Sequence, residues 1–169
     1  MAIDLSKIDK TWTLFLDRDG VINHEKHEDY IHTWDEFYFY DGAKEAIVFF
    51  TNIFNRIIVV TNQRGIGKGV TRLADVELIH KNMKSKIEHA GGKIDAVYFC
   101  PDVDSSSLNR KPNTGMGLQA IKDFPEIDLN RSIMIGNTSS DMQFGRNLGV
   151  QTIFLPTTMR LSSRSTSGL

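Results

Sequence analysis

The chain alternates short runs of β-branched and aromatic residues with longer amphipathic runs, and this alternation constrains its fold more than any other feature of the sequence. Such alternation is typical of βαβ units, which build a parallel sheet with helices packed on it. The pattern therefore predicts an α/β protein with a parallel sheet of five strands. The predicted strands are residues 12–16, 56–60, 96–99, 132–135 and 152–155.

The amphipathic runs between these strands predict four helices. Residues 43–54 and 71–90 repeat apolar side chains at intervals of three and four, which places an apolar stripe on one helical face. Two shorter helices are predicted at residues 116–124 and 141–148. The aromatic-rich interval 29–40 has two interpretations, a small flap or hairpin and an edge of the core.

The length of 169 residues fits one folded domain, which we place at residues 1–155. The remaining segment, residues 156–169, is half serine and threonine and lacks hydrophobic periodicity. We expect this C-terminal tail to be mobile or to lie on a partner. The sequence leaves the number of subunits open, a homo-oligomer included.

Charge and composition exclude several classes of protein. The net charge of −1 provides no global basic field for nucleic acid or for an anionic membrane. The longest apolar run, residues 46–50, is far shorter than the ~20 residues that span a bilayer. No secretory signal is apparent at the start, and a single cysteine, Cys100, forbids a disulfide within the chain. These features predict a cytoplasmic protein that does not bind membranes.

Polar side chains concentrate where predicted strands end. Asp17 and Asp19 follow the first strand, Thr61 follows the second, and Asn137 follows the fourth, with Asp141 close behind. In open parallel sheets, ligands bind in the crevice beyond the carboxyl ends of the strands. Each position taken alone is better explained by an ordinary turn, because Asp, Asn and Gly satisfy turn geometry by themselves.

Together these residue types suit phosphoryl transfer. An aspartate can attack phosphorus and form an aspartyl phosphate, and a second carboxylate can act as acid and base. The developing charge requires cations, which suits Mg²⁺ held by one or two carboxylates together with a fixed lysine. Lys111 is the candidate lysine, because Pro112 stiffens the backbone beside it.

At these positions the sequence resembles the haloacid dehalogenase-like (HAD-like) phosphohydrolases. Four blocks match that family in order along most of the chain, and the first and third look most like the branch that contains heptose bisphosphate and histidinol-phosphate phosphatases. The blocks are residues 15–23, 60–66, 110–116 and 135–142. The resemblance implies a three-layer α/β/α, Rossmann-like fold.

The resemblance also implies roles for individual residues. Asp17 would be the nucleophile, and Asp19 would be the acid and base and would give Mg²⁺ its carbonyl oxygen. Thr61 and Lys111 would bind the transferring phosphoryl group, and Arg110 would touch the substrate.

The second and fourth blocks add the remaining candidates. Asn62 and Gln63 are expected to bind substrate. Asp17, Asp19, Asn137 and Asp141 are expected to form the metal site.

Two spacings exclude a large cap domain. Only 43 residues separate Asp17 from Thr61, and nine separate Cys100 from Arg110. Neither interval can hold a folded lid, so we expect an open site unless a neighbouring subunit or the C-terminal tail covers it.

Two departures from the family pattern bear on cofactors and substrate. Relatives in this branch carry a zinc loop, but here only Cys100 remains and Asp102 replaces a histidine, so no structural zinc is expected. Asn137 replaces a metal-binding aspartate, which predicts weaker Mg²⁺ binding, with Asp141 supplying the remaining carboxylate.

These observations favour a Mg²⁺-dependent phosphomonoesterase acting on a small phosphorylated sugar or related metabolite, such as a heptose bisphosphate or histidinol phosphate. One alternative is a polynucleotide 3′-phosphatase, which the near-neutral charge disfavours. A steep loss of affinity with salt would identify it. Another alternative is a non-catalytic phosphate-binding relative, suggested by Asn137 and opposed by the intact Asp17, Asp19, Thr61 and Lys111.

Overall fold

The computed structural model describes residues 2–158 and consists of a central parallel sheet with helices on both faces. The strands are β1 (Thr13–Leu16), β2 (Arg56–Asn62), β3 (Ala96–Cys100), β4 (Ser132–Gly136) and β5 (Gln151–Phe154). The helices are α1 (Ala43–Ile53), α2 (Arg64–Gly67), α3 (Leu73–His89), α4 (Gly115–Asp123) and α5 (Ser139–Leu148). The predicted α/β class and five-stranded parallel sheet are confirmed.

The strands lie in the order β3-β2-β1-β4-β5, and every neighbouring pair is parallel. The chain winds from β1 outward to β3 and then crosses back to β4 on the other side of β1. The strand order therefore reverses between β1 and β4. This reversal opens a crevice at the carboxyl ends of these two strands, where ligands bind in sheets of this kind.

Alternate residues of the central strands face two separate hydrophobic cores. On β1, Leu14 and Leu16 pack in the core under α1 and α3, whereas Phe15 packs in the core under α4 and α5. All three side chains are buried because helices cover both faces of the sheet. This gives three layers, as the family resemblance implies.

Element boundaries differ from the predictions by a few residues. Helix α5 begins at Ser139 rather than at residue 141, because Thr138 and Asp141 form a reciprocal capping box. Helix α2 was not predicted, since its glycine-rich sequence is more typical of a turn.

The aromatic-rich interval combines the two interpretations given above. Residues 22–24 pair with residues 38–40 through backbone hydrogen bonds from His24 N to Tyr38 O and from Tyr40 N to Ile22 O. The segment between them, residues 25–37, is a loop closed at its base, which we call the flap. Phe37 is nevertheless buried in the core, so the flap is anchored at one end.

Of the Ser/Thr-rich tail, residues 156–158 are described and residues 159–169 lie outside the described part of the chain. Thr157 donates a hydrogen bond to Gly20 O, so the chain returns from β5 to the loop that follows β1. Within residues 2–158, no helix is long and apolar enough to cross a bilayer.

Candidate active site

A cavity of about 310 Å³ opens at the carboxyl ends of β1, β2 and β4. Its floor includes Asp17, Thr61, Lys111 and Asp141, and its rim includes flap residues such as Lys26. The crevice expected from the strand order is therefore present, and it collects side chains from four separate parts of the sequence.

The centre of this cavity is a buried lysine held between two carboxylates. Lys111 Nζ lies 2.9 Å from Asp17 Oδ1 and 2.6 Å from Asp141 Oδ1. The side chains of Lys111 and Asp141 are 2% exposed, and that of Asp17 is 11% exposed. Because water is nearly excluded, these charges interact far more strongly than a surface ion pair.

The pKa values of these three groups are shifted together. Burial raises the pKa of Asp17 to about 7, against the opposing charge of Lys111 and with the help of the Asp141 carboxylate. Burial alone would lower the pKa of Lys111, but Asp17 and Asp141 outweigh it and raise that pKa. Burial works against ionisation of Asp141 as well, yet Lys111 and the hydrogen bonds to this carboxylate hold its pKa below the ordinary value.

Asp141 is fixed by the start of helix α5. Its Oδ2 accepts hydrogen bonds from the backbone N–H groups of Asn137 and Thr138, at 3.0 and 3.2 Å. Gly136 leaves the room for this arrangement, since a Cβ there would lie 2.2 Å from Asp141 Cβ. Both carboxylate oxygens of Asp141 are thus occupied, and they aim Lys111 at Asp17.

Lys111 is also held through its backbone. Asn62 exchanges two hydrogen bonds with it, from Lys111 N to Asn62 Oδ1 at 2.9 Å and from Asn62 Nδ2 to Lys111 O at 3.1 Å. These bonds tie the end of β2 to the loop before α4. Asn62, predicted to bind substrate, uses both polar atoms of its side chain inside the protein.

Asp19 lies in a separate network of donors. Its carboxylate accepts hydrogen bonds from Arg18, Asn23 and Gln63, at 2.8 to 3.2 Å. Burial alone would raise the pKa of Asp19, but Arg18 and the other donors outweigh it and hold that pKa below the ordinary value. Gln63 also donates a hydrogen bond to Thr61 Oγ1 at 3.0 Å, so its buried side chain positions both Asp19 and Thr61. Gln63 was predicted to bind substrate, but it is not among the residues that line the cavity.

Asn137 lies against the two oxygen atoms that a cation would need. One terminal atom of its amide is 3.1 Å from Asp17 Oδ2 and 3.2 Å from Asp19 O, and the hydrogen-bond pattern favours the nitrogen there. The other terminal atom meets Thr158 Oγ1 at 2.6 Å. Gly20 makes room for this amide, since its φ is +87° and a Cβ would lie 1.9 Å from the terminal amide atom that meets Thr158.

This donor set fits a small divalent cation. A carboxylate oxygen, a backbone carbonyl and an amide that can turn its own oxygen to the same point are the ligand types that Mg²⁺ takes. Across residues 2–158 no cluster of three or more His, Cys, Asp or Glu side chains could hold a metal ion. A cation here would therefore depend on the carbonyl of Asp19 and the amide of Asn137.

Cys100 ends β3, and Arg110 lies in the loop that leads to α4. Arg110 lines the cavity and donates a hydrogen bond to Val103 O. Cys100 is buried with its Sγ 3.8 Å from Ser107 Oγ, and that hydroxyl donates to Asp102. The expectation that the chain holds no structural zinc stays a prediction.

Sequence reasoning missed several residues around the site. Arg18 and Asn23 hold Asp19, and Thr138 caps the helix that carries Asp141. Thr138 had a signal in the sequence, because a threonine three residues before an acidic residue indicates a capping box. No spacing rule points to Arg18 or to the flap residues that line the cavity.

Comparison with known proteins places the chain among phosphatases. A family model described as HAD-hydrolase-like matches residues 108–162. A D-glycero-α-D-manno-heptose-1,7-bisphosphate 7-phosphatase of Campylobacter jejuni is 38% identical over 146 residues, covering 86% of this chain and 83% of the relative. The enzyme of the same name from Mycobacterium bovis is 36% identical over 138 residues, covering 81% and 73%.

A solved structure shows the same similarity. The D,D-heptose 1,7-bisphosphate phosphatase of B. bronchiseptica, complexed with magnesium and phosphate, superposes with a TM-score of 0.77 at 28% identity. The match covers 83% of this chain and 78% of that one.

Proposed function

The chain belongs to the HAD-like hydrolases and is a phosphatase, and from that premise we propose that it is a Mg²⁺-dependent phosphomonoesterase that forms an aspartyl phosphate at Asp17. The observation that carries this proposal is the buried Lys111 ammonium between Asp17 and Asp141, beside the point where Asp17 Oδ2, Asp19 O and the Asn137 amide meet. The magnesium and phosphate of the B. bronchiseptica structure support the choice of cation and ligand.

The two oxygens of Asp17 take different roles. Oδ2 faces Asp19 O and the Asn137 amide, so Oδ1, beside Lys111, is the attacking atom. In the first step a bond forms between Oδ1 and phosphorus while the bond from phosphorus to the ester oxygen breaks. Asp17, the Asp19 carbonyl and Asn137 would hold Mg²⁺, which would supply positive charge to the phosphoryl oxygens. Lys111 supplies the second cation, and the hydroxyl of Thr61 donates a hydrogen bond to the same group.

Asp19 handles the proton of both steps. The negative charge of an incoming phosphate favours the protonated form of its carboxyl group, which then donates that proton to the departing alkoxide. In the second step the Asp19 carboxylate takes a proton from water, whose oxygen attacks the aspartyl phosphate. Inorganic phosphate leaves and Asp17 is restored.

The remaining predicted residues position this machinery. We assign Asn62 to holding the backbone of Lys111, and Gln63 to orienting Asp19 and Thr61. We assign Asp141 to aiming Lys111, since Lys111 and two backbone N–H groups already engage its carboxylate.

We assign the substrate to the class of phosphorylated sugars, of which heptose bisphosphate is the first candidate. The rim of the cavity mixes carboxylates, Glu25 and Asp29, with cations, Arg64 and Arg110. Carboxylates accept hydrogen bonds from sugar hydroxyls, and arginines bind phosphate oxygens. The same carboxylates would repel the backbone of a polynucleotide.

Phosphate release from a panel of esters tests the proposal. The panel contains a heptose 1,7-bisphosphate, histidinol phosphate and a 3′-phosphorylated oligonucleotide, with Mg²⁺ present. We expect turnover of the sugar phosphate and loss of that turnover in Asp17→Asn, with unfolding in urea showing that the variant is folded. Full activity in Asp17→Asn would refute the nucleophile, and preference for the oligonucleotide would refute the substrate class.

A further inference from the structure

Arg18 is a fully buried cation next to the catalytic machinery. Its side chain is 0% exposed, and its guanidinium donates from Nε and Nη2 to the Asp19 carboxylate at 2.9 to 3.2 Å. One edge of the guanidinium therefore fixes the orientation of Asp19. What holds the other edge determines how firmly Asp19 is fixed.

That other edge meets His80, from the middle of helix α3. Arg18 Nη1 lies 3.0 Å from His80 Nε2, and His80 is 6% exposed. Arginine can only donate, so His80 Nε2 must accept, which makes the imidazole neutral with its proton on Nδ1. Burial, with the Arg18 charge, lowers the pKa of His80 to about 3, which agrees with this neutral form.

The surroundings of the guanidinium leave it few other polar partners. The ring of Phe37, from the buried end of the flap, lies 5.9 Å from Arg18 Cζ, and the ring of Phe99 packs 5.4 Å from that of His80. A guanidinium nitrogen that loses its acceptor in such a site is left unpaired or must move to find another. Movement of Arg18 would carry Asp19 with it.

We propose that His80 is a positioning residue that holds Arg18, and through it the Asp19 carboxylate, in place for proton transfer to the leaving group. This inference rests on the proposed function. His80 touches neither substrate nor the phosphoryl group. Among the steps through alcohol release, its effect is confined to the proton transfer from Asp19, and that restriction gives the proposal a distinctive kinetic signature.

The signature is dependence on the leaving group. An alkyl phosphate releases a poor leaving group that needs the proton of Asp19, whereas p-nitrophenyl phosphate releases a stable phenolate that does not. The constant kcat/KM covers the steps through alcohol release and excludes hydrolysis of the aspartyl phosphate. The ratio of kcat/KM for the two substrates therefore reports on Asp19 alone.

The central variants are His80→Phe, which keeps the ring volume without the acceptor, and His80→Gln, whose amide oxygen can accept from Arg18. In His80→Phe we expect kcat/KM for the alkyl phosphate to fall about 10- to 100-fold, the size of effect that a small misplacement produces. For p-nitrophenyl phosphate we expect less than about a threefold change. His80→Gln should keep a ratio close to that of the unaltered protein.

Two further variants separate this inference from other effects. Asp19→Asn measures the full loss of proton transfer, about 10²- to 10⁴-fold for the alkyl phosphate. Met83→Ala, one turn along α3 and fully buried, loosens the same helix and leaves His80, the acceptor for Arg18, in place. It should lower the stability of the protein and leave the substrate ratio unchanged.

The outcomes distinguish the inference from the proposed function. Equal losses for both substrates in His80→Phe, a His80→Gln variant that behaves like His80→Phe, or a shifted ratio in Met83→Ala would each overturn the role of His80. If Asp19→Asn lowers kcat/KM equally for both substrates, then the assignment of Asp19 as the general acid in the proposed function is wrong instead. If His80→Phe does not fold, His80→Asn replaces it, since the shorter amide does not reach Arg18 and should shift the ratio in the same way.

Discussion

Replacing Lys111 with methionine tests the energetics of the buried site most directly. The change removes the ammonium that contacts Asp17 at 2.9 Å and Asp141 at 2.6 Å, and it leaves two nearly buried carboxylates without a cation. Asp17 escapes at modest cost, because its pKa is already about 7 and it binds a proton near neutrality. Neutralising Asp141 costs more, since Lys111 holds the pKa of its carboxyl group below the ordinary value, and without Lys111 this group must take up a proton that it does not bind near neutrality in the unaltered protein.

The loss of stability follows from the cost of neutralising Asp141. Protonating a carboxyl group with the ordinary pKa of 3.8 costs about 4 kcal/mol at pH 7, at 1.36 kcal/mol per pH unit. Removal of one partner from a buried ion pair costs a similar amount, about 3–5 kcal/mol. At pH 5 the cost of protonation falls to about 1.6 kcal/mol, so the defect should shrink as the pH is lowered.

Urea unfolding at pH 7 and pH 5, with a chelator present, measures the loss of stability in Lys111→Met and its dependence on pH. Arg72→Met is the matched control, because Arg72 makes an equally short contact with Asp75, 2.7 Å, but is 81% exposed. The control should lose far less stability than Lys111→Met. Equal losses in the two variants, or a Lys111→Met defect that is the same at both pH values, would refute the reasoning. Restoring part of the stability with Asp141→Asn in the Lys111→Met background would support it.

Three further predictions concern other parts of the site. Asn137→Asp adds a carboxylate beside Asp17 Oδ2. It should lower the Mg²⁺ concentration for half-maximal activity by about tenfold, which corresponds to about 1.4 kcal/mol. An unchanged or poorer affinity for Mg²⁺ would contradict this prediction. His80 has a pKa of about 3 in the folded protein and stays neutral there. In the unfolded chain it takes up a proton below its ordinary pKa of 6.5. The free energy of unfolding should therefore fall as the pH is lowered from 6.5 toward 3. This amounts to about 2 kcal/mol by pH 5, and urea unfolding of His80→Gln should lack that pH dependence. Gly136→Ala places a Cβ 2.2 Å from Asp141 Cβ. It should lower the free energy of unfolding in urea by about 1–3 kcal/mol and reduce phosphatase activity. Full activity would show that α5 shifts to accept the methyl group.

The sheet could be predicted because its signal is local. Each strand contains consecutive apolar residues, as in residues 57–60, and such runs are buried wherever helices cover both faces of a sheet. The carboxyl ends of those strands then bring Asp17, Thr61 and Asn137 to one edge. The order of the strands is set by packing between distant segments, which no single run encodes.

The roles of individual polar residues were harder to predict, because they too depend on contacts between segments that are distant in the sequence. Asn62 ends β2 and Gln63 follows it, where substrate-binding residues often lie, and their side chains bond to Lys111, Thr61 and Asp19. A strand end shows that a residue is near the site. Which way its hydrogen bonds point depends on loops far away in the sequence.

Arg18 and His80 illustrate this limit most clearly. They are 62 positions apart and meet only because α3 packs against the loop after β1. A charged residue between Asp17 and Asp19 would be read from sequence as part of the pocket. Here its side chain points into the protein, because successive residues leaving a strand point to opposite faces of the sheet.

The amide of Asn137 explains how the site can assemble before a cation binds. An aspartate at this position would set a second carboxylate about 3 Å from Asp17 Oδ2, and two such charges repel unless a cation lies between them. Asn137 instead donates hydrogen bonds to Asp17 Oδ2 and Asp19 O, which hold both groups in place. A cation held by Asp17, the Asp19 carbonyl and Asn137, as proposed, would displace these two bonds, and the amide would turn its oxygen inward. Under the proposed function, the affinity for Mg²⁺ would therefore be set by a competition between hydrogen bonding and coordination, and a carboxylate at position 137 would remove the competitor while adding charge.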